Sequence, residues 1–138
     1  MAQSRRALME ELIDAINAGD LGKLAPHIAP GFARHDLARA YPEIGGEQVT
    51  DFIQGLREGV EGLHLSIDHI IESGDEAAVW LTLRGRHTGK VFGVEGTGEP
   101  LEVHGVNRYR FDGALITETW QLWDVYGVVS ATSAPATA

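Results

Sequence analysis

An α+β fold is what this sequence predicts: three N-terminal helices packed in the concave face of a strongly curved mixed, mostly antiparallel sheet. Two observations carry that expectation. Up to Val60 the apolar residues recur at helical spacing, and from Leu63 onward they alternate with polar ones. No helical pattern separates the later strands, so the strand–helix alternation that builds a parallel sheet is missing. The 138 residues suit one domain, 1–138, with no internal repeat.

Leu8, Met9, Leu12, Ile13 and Ile16 place a helix over Arg5 to Ala18, with Ser4 as its N-cap and Gly19 as its stop. A second, short helix opens at Asp20-Leu21-Gly22, with Leu21, Leu24 and Ile28 apolar, and Pro30 ends it. Phe32 to His35 reads as a short extended piece. Asp36 to Gly46 contains Pro42, Gly45 and Gly46 and is loop, with Tyr41 in it. Val49, Phe52, Ile53, Leu56 and Val60 mark a third helix over Glu47 to Val60.

Alternation then takes over. Leu63, Leu65, Ile67 and His69 share one parity of a strand, and His64, Ser66, Asp68 and Ile70 the other. Ser73-Gly74-Asp75 is a turn. In the next strand, Ala77 to Arg86, Val79, Leu81 and Leu83 face one way and Trp80, Thr82 and Arg84 the other. Arg86 to Pro100, with Gly89, Gly93, Gly96 and Gly98, is loop or a broken, bulged strand. Two further alternating runs meet at Asp112-Gly113, a strong hairpin signal. The first puts Val103, Gly105, Asn107, Tyr109 and Phe111 on one parity. The second ends in Trp120, Gln121, Trp123, Asp124 and Tyr126. The tail from Ser130 to Ala138 is rich in Ala, Ser, Thr and Pro and is expected to fray.

Composition excludes several function classes. With 43% hydrophobic residues the chain can bury a core, yet no apolar run approaches the length of a membrane span. The N-terminal stretch reads as an amphipathic helix and lacks the apolar centre of a signal peptide, so a cytoplasmic location is expected. The absence of cysteine removes disulfide, thiolate and cysteine–zinc chemistry. A formal net charge of −9 argues against a nucleic-acid partner, which needs a basic surface. His64, Asp68 and His69 have metal-ligand chemistry, but alternation sends His69 to the other face, so no metal site is expected. Gly93, Gly96 and Gly98 do not join a strand to a helix, which rules out a phosphate loop.

The words Asn17-Ala18-Gly19-Asp20, Ala29-Pro30-Gly31-Phe32 before His35, Gly85-Arg86-His87-Thr88-Gly89, Gly93 with Gly96-Thr97-Gly98, and Tyr109-Arg110-Phe111-Asp112-Gly113 leading to Glu118, Trp120 and Asp124 occur in a telling order. Together they resemble the SnoaL-like polyketide cyclases, over roughly residues 5 to 129. That family belongs to the cone-shaped α+β barrel superfamily that also holds ketosteroid isomerase and limonene epoxide hydrolase. The resemblance implies a homodimer through the outer sheet face. It also implies cofactor-independent aldol ring closure of a polyketide ester, driven by a pocket carboxylate. In the family pattern that carboxylate follows the strand tryptophan, where this chain has Gln121 after Trp120. The family's pocket glutamine and histidine fall on Gly105 and Asn107, and Asp124 matches a second acid of the pattern.

A curved sheet around helices leaves a concave pocket for a hydrophobic, oxygenated small molecule. Asp124, between Trp123 and Val125, is the candidate acid/base, since an apolar setting raises a carboxyl pKa toward the useful range. The bland reading is an acid bonded at a strand end. Gln121 and Asn107 are candidate donors to a developing enolate, or else an ordinary cross-strand pair. His35, beside Asp36, is a candidate base or polar lid, or an exposed turn histidine. Tyr41, Trp80, Tyr109 and Trp123 are the expected walls. His104 should lie outside the pocket, and His87 could bond the glycine-rich loop. Arg84, Arg86, Arg108 and Arg110 are expected to pair with Glu102 and Glu118 on the outer face, around Trp120. The second functional reading is a non-catalytic ligand-binding or dimerisation module. Epoxide hydrolysis, isomerisation and hydroxylation are further chemistries of the scaffold.

Overall fold

The computed structural model describes residues 4–38 and 42–124. Tyr41, Tyr126 and the expected tail therefore lie outside the described residues. Helix α1 (Arg5–Ala18) is capped by the Ser4 side chain, which accepts from the Ala7 N–H at 3.0 Å. It ends on Gly19 in the left-handed region. Leu8, Met9, Leu12 and Ile13 form its buried face. The Asn17 amide then ties α1 to the sheet, donating to the Leu65 carbonyl at 2.9 Å and accepting from the Leu65 N–H at 2.7 Å. The Arg57 guanidinium of α2 (Val49–Gly59) donates to the Ile16 and Asn17 carbonyls, satisfying groups a helix end leaves open.

The second helical segment is two consecutive 3-10 turns, Leu21–Lys23 and Ala25–His27. Pro30 does not end it. The chain already turns into strand β1 (Ile28–Asp36) at Ile28, and Pro30 sits inside that strand. Pairing of β1 shifts register between Ile28 and Ala33, and Gly31 takes φ +78°, so a residue without an N–H is accommodated at an irregularity. Strand β2 (Ile44–Gly45) is a short edge, and a 3-10 turn (Gly46–Gln48) leads into α2.

Strands β3 (Val60–Ser73), β4 (Glu76–His87), β5 (Pro100–Asp112) and β6 (Leu115–Trp123) form an antiparallel meander. The order across the sheet is β2-β1-β6-β5-β4-β3, with β1 parallel to β6. Among the described residues the sheet is thus mixed and mostly antiparallel, with six strands and no closure. The β5–β6 turn sits one residue later than expected: Asp112 pairs with Leu115, leaving Gly113-Ala114 as the loop, with Gly113 at φ +60°.

A bulge overturns the alternation assumed for β3. Register shifts between Ile67 and His69, so Ile70 turns inward to the core while His69 stacks on Trp80 outside. His69 therefore shares the outer face with His64, and Asp68 reaches the Thr82 hydroxyl there. Even so, among the described residues no three such side chains gather as a metal set. The core fills the concave face, where Val60, Val79, Leu81, Leu83 and Val103 of the sheet meet Leu8 and Met9 of α1. No helix among the described residues is long and apolar enough to cross a membrane.

Candidate functional site

Between the concave sheet face, α1 and α2 lies a partly open cavity of about 140 Å³. A single water needs only ~10–15 Å³ of such space, so the volume suits an organic ligand. Met9, Leu12 and Ile13 of α1, Phe52, Ile53 and Leu56 of α2, and Leu65, Leu81 and Leu83 of the sheet make most of the wall. Phe92 closes part of it from the segment between β4 and β5. Its backbone has φ +56°, a conformation that costs a non-glycine residue ~1–2 kcal/mol. The paired Val91 and Val94 backbones hold it there, with the His87 ring 3.1 Å from the Val94 carbonyl. His87 thus takes the loop-bonding role considered for it.

The polar part of the lining comes from β1, β5 and β6, where period-2 alternation turns Arg34, Asn107, Tyr109, Thr119, Gln121 and Trp123 inward. Two hydrogen-bonded groups result. Trp123 Nε1 donates to Asn107 Oδ1 at 3.0 Å, and Asn107 Nδ2 donates to the Tyr109 hydroxyl at 2.8 Å. Indole N–H can only donate, so it fixes which way the Asn107 amide points. Arg34 Nε donates to Gln121 Oε1 at 2.8 Å, which fixes the Gln121 amide in the same way. The guanidinium lies over the Phe52 ring, 3.9 Å from its centroid.

Burial pushes the Tyr109 phenol pKa above its ordinary value, while the Asn107 hydrogen bond and the Arg34 charge pull the other way. At neutral pH Tyr109 is therefore a protonated donor. With the amide oxygens of Asn107 and Gln121 engaged, the Tyr109 O–H and the Gln121 NH₂ are left to donate toward a ligand. Trp123 stacks against the backbone of Gly105, its cross-strand partner, where a Cβ would come within 2.6 Å of the indole Cε2. The indole occupies the space that a side chain at 105 would take.

Of the residues singled out in the sequence, Gln121, Asn107, Tyr109 and Trp123 line this cavity together. Asp124, His35 and Trp80 do not line it. Asp124 is exposed on the parity opposite Gln121 and Trp123, with its backbone N–H donating to the His104 carbonyl at 2.9 Å. Its side chain is exposed, whereas the acid/base expectation assumed an apolar setting. His35 alternates with the inward Arg34, so it faces outward. There it stacks on Trp120 and reaches Glu118 at 2.6 Å and Glu43 at 2.9 Å. Trp80 is 39% exposed, on the parity opposite Val79 and Leu81, and serves as an outer-face residue instead of a wall.

The outer face otherwise follows the expected charge pairing. Arg84 meets Glu102, whose carboxyl is held below its ordinary pKa by hydrogen bonding and charge from Arg84. Arg110 meets Glu118, whereas Arg108 goes to Glu76 and Arg86 to the Gly98 carbonyl. Arg108 and Arg110 both lie over the Trp120 ring. His104 is outside, as expected, beside Glu102 and Thr82. Arg34 is the functional candidate the sequence reading missed. Its shared parity with Phe32, a core residue, was the available signal.

A family model described as SnoaL-like polyketide cyclase matches residues 6–131. No curated protein matches this sequence. Among solved structures, a SnoaL-like protein from Jannaschia sp. CCS1 is 24% identical, with a TM-score of 0.82 over 98% of this chain and 99% of the other. IdmH from Streptomyces antibioticus, a candidate polyketide cyclase, is 24% identical, with a TM-score of 0.81 over 94% of this chain and 99% of its own. AclR from Streptomyces galilaeus, a candidate hydroxylase, is 22% identical, with a TM-score of 0.81 over 97% of this chain and 83% of its own. At these identities the likeness speaks for the fold alone.

Proposed function

The chain belongs to the SnoaL-like polyketide cyclase family, and from that premise we propose that it acts on a hydrophobic, oxygenated small molecule by proton transfer, without a cofactor. The observation that carries this reading is the hydrogen-bonded polar wall inside an otherwise apolar cavity. The Tyr109 O–H, the Gln121 NH₂ and the Arg34 charge can polarise one carbonyl and stabilise negative charge that develops on its oxygen. The apolar walls bind the skeleton and exclude water. Intramolecular aldol ring closure is the reaction proposed first, with epoxide hydrolysis, isomerisation and hydroxylation as alternatives on the same scaffold.

A second reading, non-catalytic ligand binding, is favoured by one feature: the described lining holds no carboxylate and no imidazole to serve as base. A screen of aromatic polyketide-like esters and epoxides separates the two. Turnover of any of them supports the enzyme. Saturable binding without turnover, across the whole screen, supports the binding module.

The partner proposed for the outer face is a second copy of the chain. Trp80, Val106 and Leu122 are register neighbours on β4, β5 and β6, and Trp80 and Leu122 are exposed, giving an apolar row across that face. Sedimentation velocity at micromolar concentration should read a dimer, and a monomer throughout would contradict the proposal.

A further inference from the structure

Thr119 of β6 lines the cavity and is only 5% exposed, and its side chain makes no hydrogen bond to another described residue. The hydroxyl is unpaired but not sealed off by protein atoms, so it opens on the cavity. A buried hydroxyl without a partner costs stability, and valine would fill the same strand position without that cost. A partner from outside the chain accounts for a hydroxyl kept there.

The register shows why its neighbours do not meet it. Tyr109 is its cross-strand partner on β5, yet the Tyr109 side chain runs along the strand to Asn107, which donates to its hydroxyl at 2.8 Å. Arg34, its partner on β1, sends Nε to Gln121. The Tyr109 O–H thus stands at the level of the Asn107–Gln121 pair, together with the Gln121 NH₂. Thr119 lies two residues from Gln121 on the same face of β6, which is about 7 Å at ~3.4 Å per residue. The polar wall therefore offers two separate hydrogen-bonding positions.

We infer that the ligand carries two oxygen groups set apart across a rigid hydrophobic skeleton, and that Thr119 holds the second of them. The first accepts from the Tyr109 O–H or the Gln121 NH₂. The second meets the Thr119 hydroxyl, which donates to a carbonyl or accepts from a hydroxyl. The inference rests on the small-molecule reading proposed above and adds an oxygen spacing to it.

Calorimetric titration with three probes tests it: 2-naphthol with one oxygen, 2,3-dihydroxynaphthalene with two adjacent oxygens, and 2,7-dihydroxynaphthalene with two on separate rings. The wild type should bind the 2,7 isomer about 3- to 10-fold tighter than the other two, the worth of one neutral hydrogen bond. Thr119→Val should raise the Kd of the 2,7 isomer by the same factor and leave the other two within about twofold. Thr119→Ser keeps a hydroxyl and should keep the preference. The valine variant should unfold at a denaturant midpoint equal to or above that of wild type, because an unpaired buried hydroxyl gives way to a methyl group. A hydroxyl with a structural role would lower that midpoint. If the wild type does not favour the 2,7 isomer, if Thr119→Val weakens all three alike, or if its midpoint falls, the assignment of Thr119 is overturned and the small-molecule pocket stands. If none of the three binds, the pocket reading and the inference fail together.

Discussion

Gly105→Val is expected to destabilise the protein by about 2–4 kcal/mol and to dismantle the polar wall. Valine suits a strand, and Gly105 is not in a left-handed conformation, so local propensity alone would favour the change. The obstacle is the Trp123 indole, which a Cβ at 105 would overlap. An indole is rigid and must move as a unit. That movement breaks the Trp123 Nε1–Asn107 hydrogen bond and frees the Asn107 amide that orients Tyr109. Overpacking costs roughly 1–3 kcal/mol and the lost hydrogen bond roughly another 1. Denaturant unfolding of the variant beside wild type measures the sum. An unchanged midpoint would mean that Trp123 is not seated on Gly105.

The second large effect concerns turnover. Tyr109→Phe should lower kcat on any accepted substrate by about 10²-fold, the cost of removing one donor to a developing oxyanion. The ring itself is kept, so packing against Phe111 and the cavity wall should persist. Asp124→Asn should match wild type, because that carboxyl lies outside the cavity lining. Steady-state kinetics of both variants on one substrate decide the matter. Loss of activity in Asp124→Asn with Tyr109→Phe intact would return the acid/base role to Asp124.

Much of this was legible in the sequence, for identifiable reasons. The bounds of α1 follow from Ser4, Gly19 and the apolar spacing between them, because a helix advertises its ends by caps. The inward set on β5 and β6 followed from parity, since two-residue alternation is as regular in the chain as in the sheet. The errors arose where regularity breaks. One bulge in β3 reversed the parity of His69 and Ile70, and bulges have no dependable signature in a single sequence. Pro30 read as a helix stop because its exclusion from helices is clear, while its tolerance at a strand irregularity depends on partners distant in sequence. Asp124 and Trp80 were drawn toward the pocket by residue type against their own parity. Arg34 escaped notice because a charged residue in a short extended piece normally faces water. Its inward position depends on β1 pairing in parallel with β6, which brings Gln121 within reach.

The most direct test of ligand binding in this cavity uses the three tryptophans of the chain. Trp123 lines the cavity, whereas Trp80 and Trp120 stand on the outer face. Their indole N–H resonances, assigned with Trp→Phe variants, can be followed by NMR during titration with 2-naphthoate and methyl 2-naphthoate. A saturable shift of the Trp123 signal, with Trp80 and Trp120 unmoved, is the expected result. Saturable shifts confined to Trp80 or Trp120, with Trp123 silent, would place binding on the outer face and contradict the cavity as the site.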